Sequence, residues 1–215
     1  MNAKIDEQGE RPRGRPSDID SGVLQSRLLD VAESLFAERG FAATPVRMIA
    51  REAGVNPSLV HYYFGSKRKL LFAVMDRVLL PMAEALAKMQ RSGSAPVDDI
   101  VALMTGMAVR HPALPKLIAR EVLLSSGETH ARFARDYAPR LGGALPGLLA
   151  REQAAGRLAP GIQPGAAALM LLSLCFFPFI ARSVSEPHMG VAYDAQGIQA
   201  YAEQLKLLIA GGMKT

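Results

Sequence analysis

Apolar residues recur along this chain with a period near that of an α-helix, and no run alternates in the manner of a strand, so the pattern predicts an all-α protein. A first helix runs from about Ser21 to Arg39, with Leu24, Leu28, Val31, Ala32, Leu35 and Phe36 on its inner face. Gly40 ends it in a close that lets Phe41 pack back on Phe36. Thr44 as N-cap and Pro45 in the first turn start a second, short helix. Its Val46, Ile49, Ala50 and Ala53 form one apolar face and leave Arg47 and Arg51 outside. Gly54 stops that helix, and Asn56 followed by Pro57 repeats the cap-plus-proline start. The third helix, about Asn56 to Tyr63, is roughly 12 Å long at about 1.5 Å per residue, and Val55 and Val60 hold the places of a hydrophobic staple. Gly65 and Ser66 then open a helix reaching to about Arg91, striped by Leu70, Leu71, Val74, Val78, Met82, Leu86 and Met89 and expected to bend at Pro81. After the loop 92–96 come segments near 97–109, 112–125, 128–155, 164–183 and 194–211. Pro139, Gly142, Gly143, Pro146 and Gly147 kink or split the third of these.

Two short helices on a tight turn, followed by a cationic helix start, are the grammar of a helix-turn-helix DNA reader. The third helix presents Pro57, Ser58, Leu59, His61, Tyr62 and Tyr63 with few charges, which suits base edges and phosphates better than salt bridges. A surface helix whose aromatics serve packing is the alternative. Lys67, Arg68 and Lys69 crowd the first turn of the next helix, where the macrodipole disfavours each cation by roughly 0.3 kcal/mol or more. A DNA phosphate there meets both the free amides and the cations; the other reading is a solvated charge run.

The segment from about Leu28 to Met75, with AERGFAATPVRMIAREAGVNPSLVHYYFGSKRKLLFAV at its centre, resembles the N-terminal domain of TetR-family transcriptional regulators. The resemblance covers about a quarter of the 215 residues and rests on order, spacing and residue type together. It implies that Arg47, Pro57, Ser58 and Leu59 face bases while His61, Tyr63 and Lys67 lie toward the phosphate backbone. His61 stands where the family usually has tyrosine, and Arg68 where a glutamate is common, so Arg68 joins the candidate phosphate contacts. The division that follows is a flexible basic arm over residues 1–16, a three-helix helix-turn-helix domain over 17–68, and a helical effector-binding and dimerisation domain over 69–215. The function implied is a cytoplasmic regulator, a repressor released from a palindromic operator in double-stranded DNA by a small apolar ligand. A ligand-independent architectural or nucleoid-associated protein of the same fold is the alternative, and an α-helical enzyme or carrier with an accessory DNA reader is a weaker one.

Composition narrows the picture only in part. With 49% hydrophobic residues the chain is not globally disordered. The net charge of +5 permits a nucleic-acid partner. Residues 1–77 carry twelve Lys or Arg against ten Asp or Glu and the remainder thirteen against ten, so the excess is not confined to the reader. Arg11, Arg13 and Arg15 in RPRGRP resemble an AT-hook core that slides into a narrow A·T minor groove; a solubilising tail or a non-specific phosphate contact explains them too. The single cysteine, Cys175, reads as a buried small hydrophobe rather than a redox sensor. No apolar leader precedes the first helix, and the uncharged run Ala166–Ala181 is shorter than the roughly 20 residues of a membrane span, so no membrane association is expected.

Soft apolar residues suggest a ligand cavity in the second domain, with Met104, Met107, His111, Met170, Phe176 and Phe177 as candidates. Ordinary core packing accounts for the same residues. Leu169, Leu172, Phe176 and Phe179 on one long segment, with Ala200, Tyr201, Gln204, Leu208 and Ile209 on the last, are candidates for a four-helix homodimer interface, burial within the chain being the alternative. His61, His111, His130 and His188 show no metal-binding spacing, and neither a P-loop nor a GxSxG motif is present, so no enzyme activity, cofactor or metal is expected.

Overall fold

One 26-residue helix, α4 (Lys67–Ser92), about 39 Å long at roughly 1.5 Å per residue, ties a small N-terminal group of helices to a larger C-terminal one. The computed structural model of the protein describes residues 18–93 and 95–212, with side chains from Ser21 to Ile209. Arg11, Arg13 and Arg15 of the arm lie outside the described residues. The N-terminal group is α1 (Asp18–Arg39), α2 (Val46–Glu52) and α3 (Pro57–Phe64). After α4 come α5 (Val97–Arg110), α6 (Leu114–Ile118), α7 (Glu128–Arg132), α8 (Ala144–Ala154), α9 (Pro164–Ile180), α10 (Arg182–Met189) and α11 (Ala195–Gly212). No strand occurs among the described residues.

Local residue types set the N-terminal boundaries. Gly40 adopts φ +87° and closes α1, its N–H donating to Phe36 O at 2.9 Å, and the Phe36 and Phe41 rings sit 5.6 Å apart. Thr44 does not cap α2. Its buried hydroxyl donates to Gly40 O at 2.8 Å and lies 3.3 Å from Leu35 O, satisfying carbonyls left open at the end of α1, while Pro45 takes the cap position. Gly54 (φ +68°) turns the chain, and Asn56 caps α3 by accepting from Ser58 N at 2.9 Å. Ile49, Ala50, Ala53, Val60, Leu70 and Val74 are fully buried and join the two short helices, α2 and α3, to α1 and α4 in one core.

The C-terminal half departs from the sequence pattern in two respects. The segment expected over 112–125 is α6 followed by a π turn, Ala119–Leu123, and that over 128–155 splits into α7, a second π turn at Phe133–Tyr137, a run of turns and α8. The expected split falls at Pro139–Gly143. Helix α10 is an addition to the pattern; it leaves α9 at 81° after Ala181. Pro178 inside α9 has no N–H for Leu174 O, and the Tyr201 hydroxyl donates to that carbonyl at 2.6 Å. Tyr201 thus binds α11 to α9 within the chain while staying half-buried, and the dimer-interface candidates Phe179 and Ile209 are buried in the interior. Cys175 is buried as expected, and desolvation pushes its thiol up to about 12. Among the described residues no single helix is long and apolar enough to cross a membrane.

Candidate nucleic-acid interface and apolar cavity

The reader surface is built by what its helices bury. With Val60 and Phe64 turned into the core, α3 presents Pro57, Ser58, His61 and Tyr62 outward, Tyr62 being 71% exposed. Leu59 and Tyr63 are half-buried at its edges, and the Tyr62 and Tyr63 rings meet edge to face at 5.1 Å. The Ser58 hydroxyl donates to Asn56 Oδ1 at 2.9 Å, so its orientation is set by the helix cap. His61 Nδ1 lies 3.3 Å from Gly65 O, the carbonyl at the end of α3. Arg47 and Arg51 stand exposed on α2.

The three cations at the start of α4 have different environments. Lys67 Nζ donates to Phe41 O at 2.7 Å and lies 4.3 Å from the centre of the Phe41 ring, so the chain's own loop partly solvates that ammonium. Arg68 pairs with Glu128 of α7. Lys69 is exposed beside the turn at Gly65. The macrodipole penalty that pointed to an external anion is therefore offset within the molecule at two of the three positions. Neither partner was visible in local spacing.

A cavity of about 430 Å³ lies between α4 (Leu79, Met82), α5 (Met107), α6 with its π turn, the second π turn with the turns after it, and one side of α9. Met107, Phe176 and Phe177 are brought to its wall. Met104 is packed into the core, and Met170 faces outward from α9. His111 ends α5 and places Nδ1 3.0 Å from Glu33 of α1, away from the cavity. Leu169 and Leu172, expected at a dimer interface, line the cavity, with Leu169 also 67% exposed, and Gln204 and Leu208 are exposed on α11.

Residues 28–74 match the profile of the bacterial regulatory proteins of the tetR family. Over 190 residues the chain is 30% identical to the HTH-type transcriptional repressor NicS of Pseudomonas putida, covering 86% of this chain and 88% of that protein. The chain belongs to the tetR family. The fold of this tetR-family regulator is shared with NalD, the secondary repressor of the MexAB-OprM multidrug efflux pump in Pseudomonas aeruginosa, at a TM-score of 0.64 and 23% identity over 91% of this chain and 98% of that one. A transcriptional regulator from Saccharomonospora viridis in complex with choline superposes at a TM-score of 0.63 with 16% identity over 90% of this chain and 99% of that one.

Polar contacts join the two halves of this tetR-family chain. Buried Glu33 on α1 accepts from Arg77 of α4 at 2.9 Å as well as meeting His111. From the first π turn, Glu121 Oε1 accepts from Phe41 N at 2.9 Å, and Arg120 donates to Glu38 O at 3.2 Å. Asp76 of α4 accepts from Arg132 at 3.0 Å and from the Tyr137 hydroxyl, whose pKa is raised by desolvation and then by that carboxylate. The loop before α2 and the first turns of α4 are thus fastened to the segments that wall the cavity.

Proposed function

We propose that this tetR-family regulator is a repressor that binds a palindromic duplex as a homodimer and leaves it when a small, neutral, apolar molecule enters the cavity. The observation that carries this reading is the cavity itself, about 430 Å³ and walled by apolar side chains of α4 as well as of the C-terminal helices. Small-molecule sites commonly span about 300–1,000 Å³. No charged side chain lines it, so a desolvated ammonium or carboxylate finds no counter-charge there. The Ser173 hydroxyl at its edge already donates to Leu169 O at 2.8 Å.

On the DNA side, Arg47, Pro57, Ser58 and Leu59 read bases. His61, Tyr62, Tyr63, Lys69 and the free amides at the start of α4 meet phosphates, and Lys67 holds the loop that positions them. One short reader helix contacts few bases, and two-fold pairing doubles the site. The outward faces of α9 and α11 pair the two copies. The repressor NicS supports the sign of the regulation.

The test is operator affinity measured with and without a neutral ligand found by thermal-shift screening. The ligand should stabilise the protein and weaken operator binding, and Met107→Trp, which fills the cavity, should abolish that response while operator binding persists. A ligand that stabilises the protein without changing DNA affinity overturns the mechanism and favours an architectural role.

A further inference from the structure

The cavity lacks a wall on one side, where the exposed lining side chains are Leu123 of the first π turn and those of the outward face of α9. A helix turns about 100° per residue, which orders the positions of α9 around its axis. Leu171, Cys175, Ala168 and Phe179 point into the core; Leu172 and Phe176 come next, facing the cavity. Leu169, Ser173, Phe177 and Ile180 follow, lining the cavity while also reaching solvent, with Leu169 67% and Phe177 63% exposed. Beyond them stands Met170, 57% exposed and outside the cavity, and then Leu174, whose carbonyl is held by Tyr201 of α11. The same count on α11 places Gln204 and Leu208, the latter 64% exposed, on the shoulder next to Tyr201. One uncharged face therefore runs from the cavity mouth across α9 to α11.

From this continuity we infer that a second copy of the chain supplies the missing wall, with Met170 and Leu208 of each copy closing the cavity of the other. The inference rests on the homodimer and the apolar ligand proposed above. A two-fold interface sets the same face against itself, so positions that belong to the face but not to their own cavity are the ones left to serve the opposite cavity. Helix α9 carries no charged residue, which leaves nothing on it to select a partner of complementary charge and suits a copy of itself. Ligand affinity and dimerisation are then linked, each strengthening the other.

The probe is N-phenyl-1-naphthylamine, a neutral apolar fluorophore, used on the full-length protein. On dilution of the wild type through its dimer dissociation range, followed by sedimentation, probe affinity should fall at least about tenfold as monomer appears. Unchanged affinity in the monomer overturns the shared wall and leaves the apolar cavity standing; no probe binding by the wild-type dimer removes the cavity reading and this one with it. A mixing experiment separates the copies. Met107→Trp blocks a cavity from within its own chain, and Met170→Trp should block the partner's, so neither homodimer binds the probe. Mixed and re-equilibrated, the two variants should regain about a quarter of the wild-type sites, since each heterodimer holds one cavity with both native methionines. Sedimentation and circular dichroism establish that each variant is a folded dimer. Folded variants that regain nothing on mixing, or a Met170→Trp homodimer that binds probe like the wild type, overturn the inference.

Discussion

Arg47 on α2 and Lys69 on α4 are both exposed cations on the reader side, and the function proposed above gives them different tasks. A guanidinium pairs two-pronged with a base edge, whereas an ammonium beside a helix start neutralises a phosphate whatever the sequence. Arg47→Ala should therefore cost about 1–3 kcal/mol on the operator and relax discrimination at one base position per half-site. Lys69→Glu should weaken operator and random duplex alike and lower the salt dependence by about one released counterion or more. Anisotropy titrations at several salt concentrations check both, and equal losses from the two variants on both duplexes would merge the roles. Glu152 makes a different kind of prediction. Its carboxylate, 1% exposed, accepts from Arg157 at 2.7 Å and from Ala95 N at 3.2 Å. The Arg157 hydrogen bond leads in holding its pKa below the usual 4.5, with the Ala95 amide adding to it against desolvation. The unfolded chain binds that proton more readily, so the contribution to stability is complete above about pH 4.5 and disappears as pH falls through the depressed folded value. Urea midpoints should drop between about pH 5 and pH 3 more steeply for the wild type than for Glu152→Gln.

The elements that were legible in the sequence are those whose ends are written in local residue types. Gly40, Gly54, Asn56 with Pro57, and Gly65 with Ser66 fix their turns by conformational preference alone, and the structure places all of them as turns or caps. The π turns were not legible, because one extra residue per turn shifts the apolar face without leaving a mark in the spacing. Helix α10 escaped notice for another reason. It carries Pro187 and buries only Ser185, so it has no apolar stripe; its hold comes from Ser185 against the Tyr193 hydroxyl at 2.6 Å and from Arg182 over the Tyr193 ring at 5.1 Å. The partners of Lys67 and Arg68 stayed hidden because Phe41 and Glu128 reach them only through the fold. A prediction at this scale concerns the close of α1. Gly40 has positive φ, and a Cβ there would meet the Arg120 guanidinium at 2.7 Å. Gly40→Ala should destabilise the protein by at least about 1 kcal/mol and loosen Arg120 from Glu38 O. Chemical denaturation measures the first effect, and hydrogen exchange of the α1–α2 loop the second; an unchanged midpoint would mean that the loop relaxes at no cost.

At the scale of the whole molecule, the sequence marked which stripes are apolar but not what each one meets. Met104 and Leu169 both stand in apolar runs, yet one is core and the other cavity wall, because the assignment depends on how α5, α8 and α9 converge. The proposed coupling between cavity and DNA must be reciprocal. A duplex bound to the reader should weaken ligand binding by the same factor by which the ligand weakens DNA binding, commonly about 1–3 kcal/mol. Calorimetric titration of the ligand into free and operator-bound protein measures that factor, and unequal factors would mean that the two sites do not share one two-state equilibrium. The carboxylate of Glu33 bears on how such a molecule can change over generations. It is a single buried acceptor shared by Arg77 of α4 and His111 at the end of α5, so three helices meet at one oxygen, Glu33 Oε2. Replacing Glu33 alone leaves the His111 imidazole without this partner and Arg77 with Asp30 as its one carboxylate, whereas replacing all three with apolar side chains removes the buried polar groups together. Substitutions at 33, 77 and 111 should therefore be strongly non-additive, and the order in which they arise decides whether the path between two working regulators stays open.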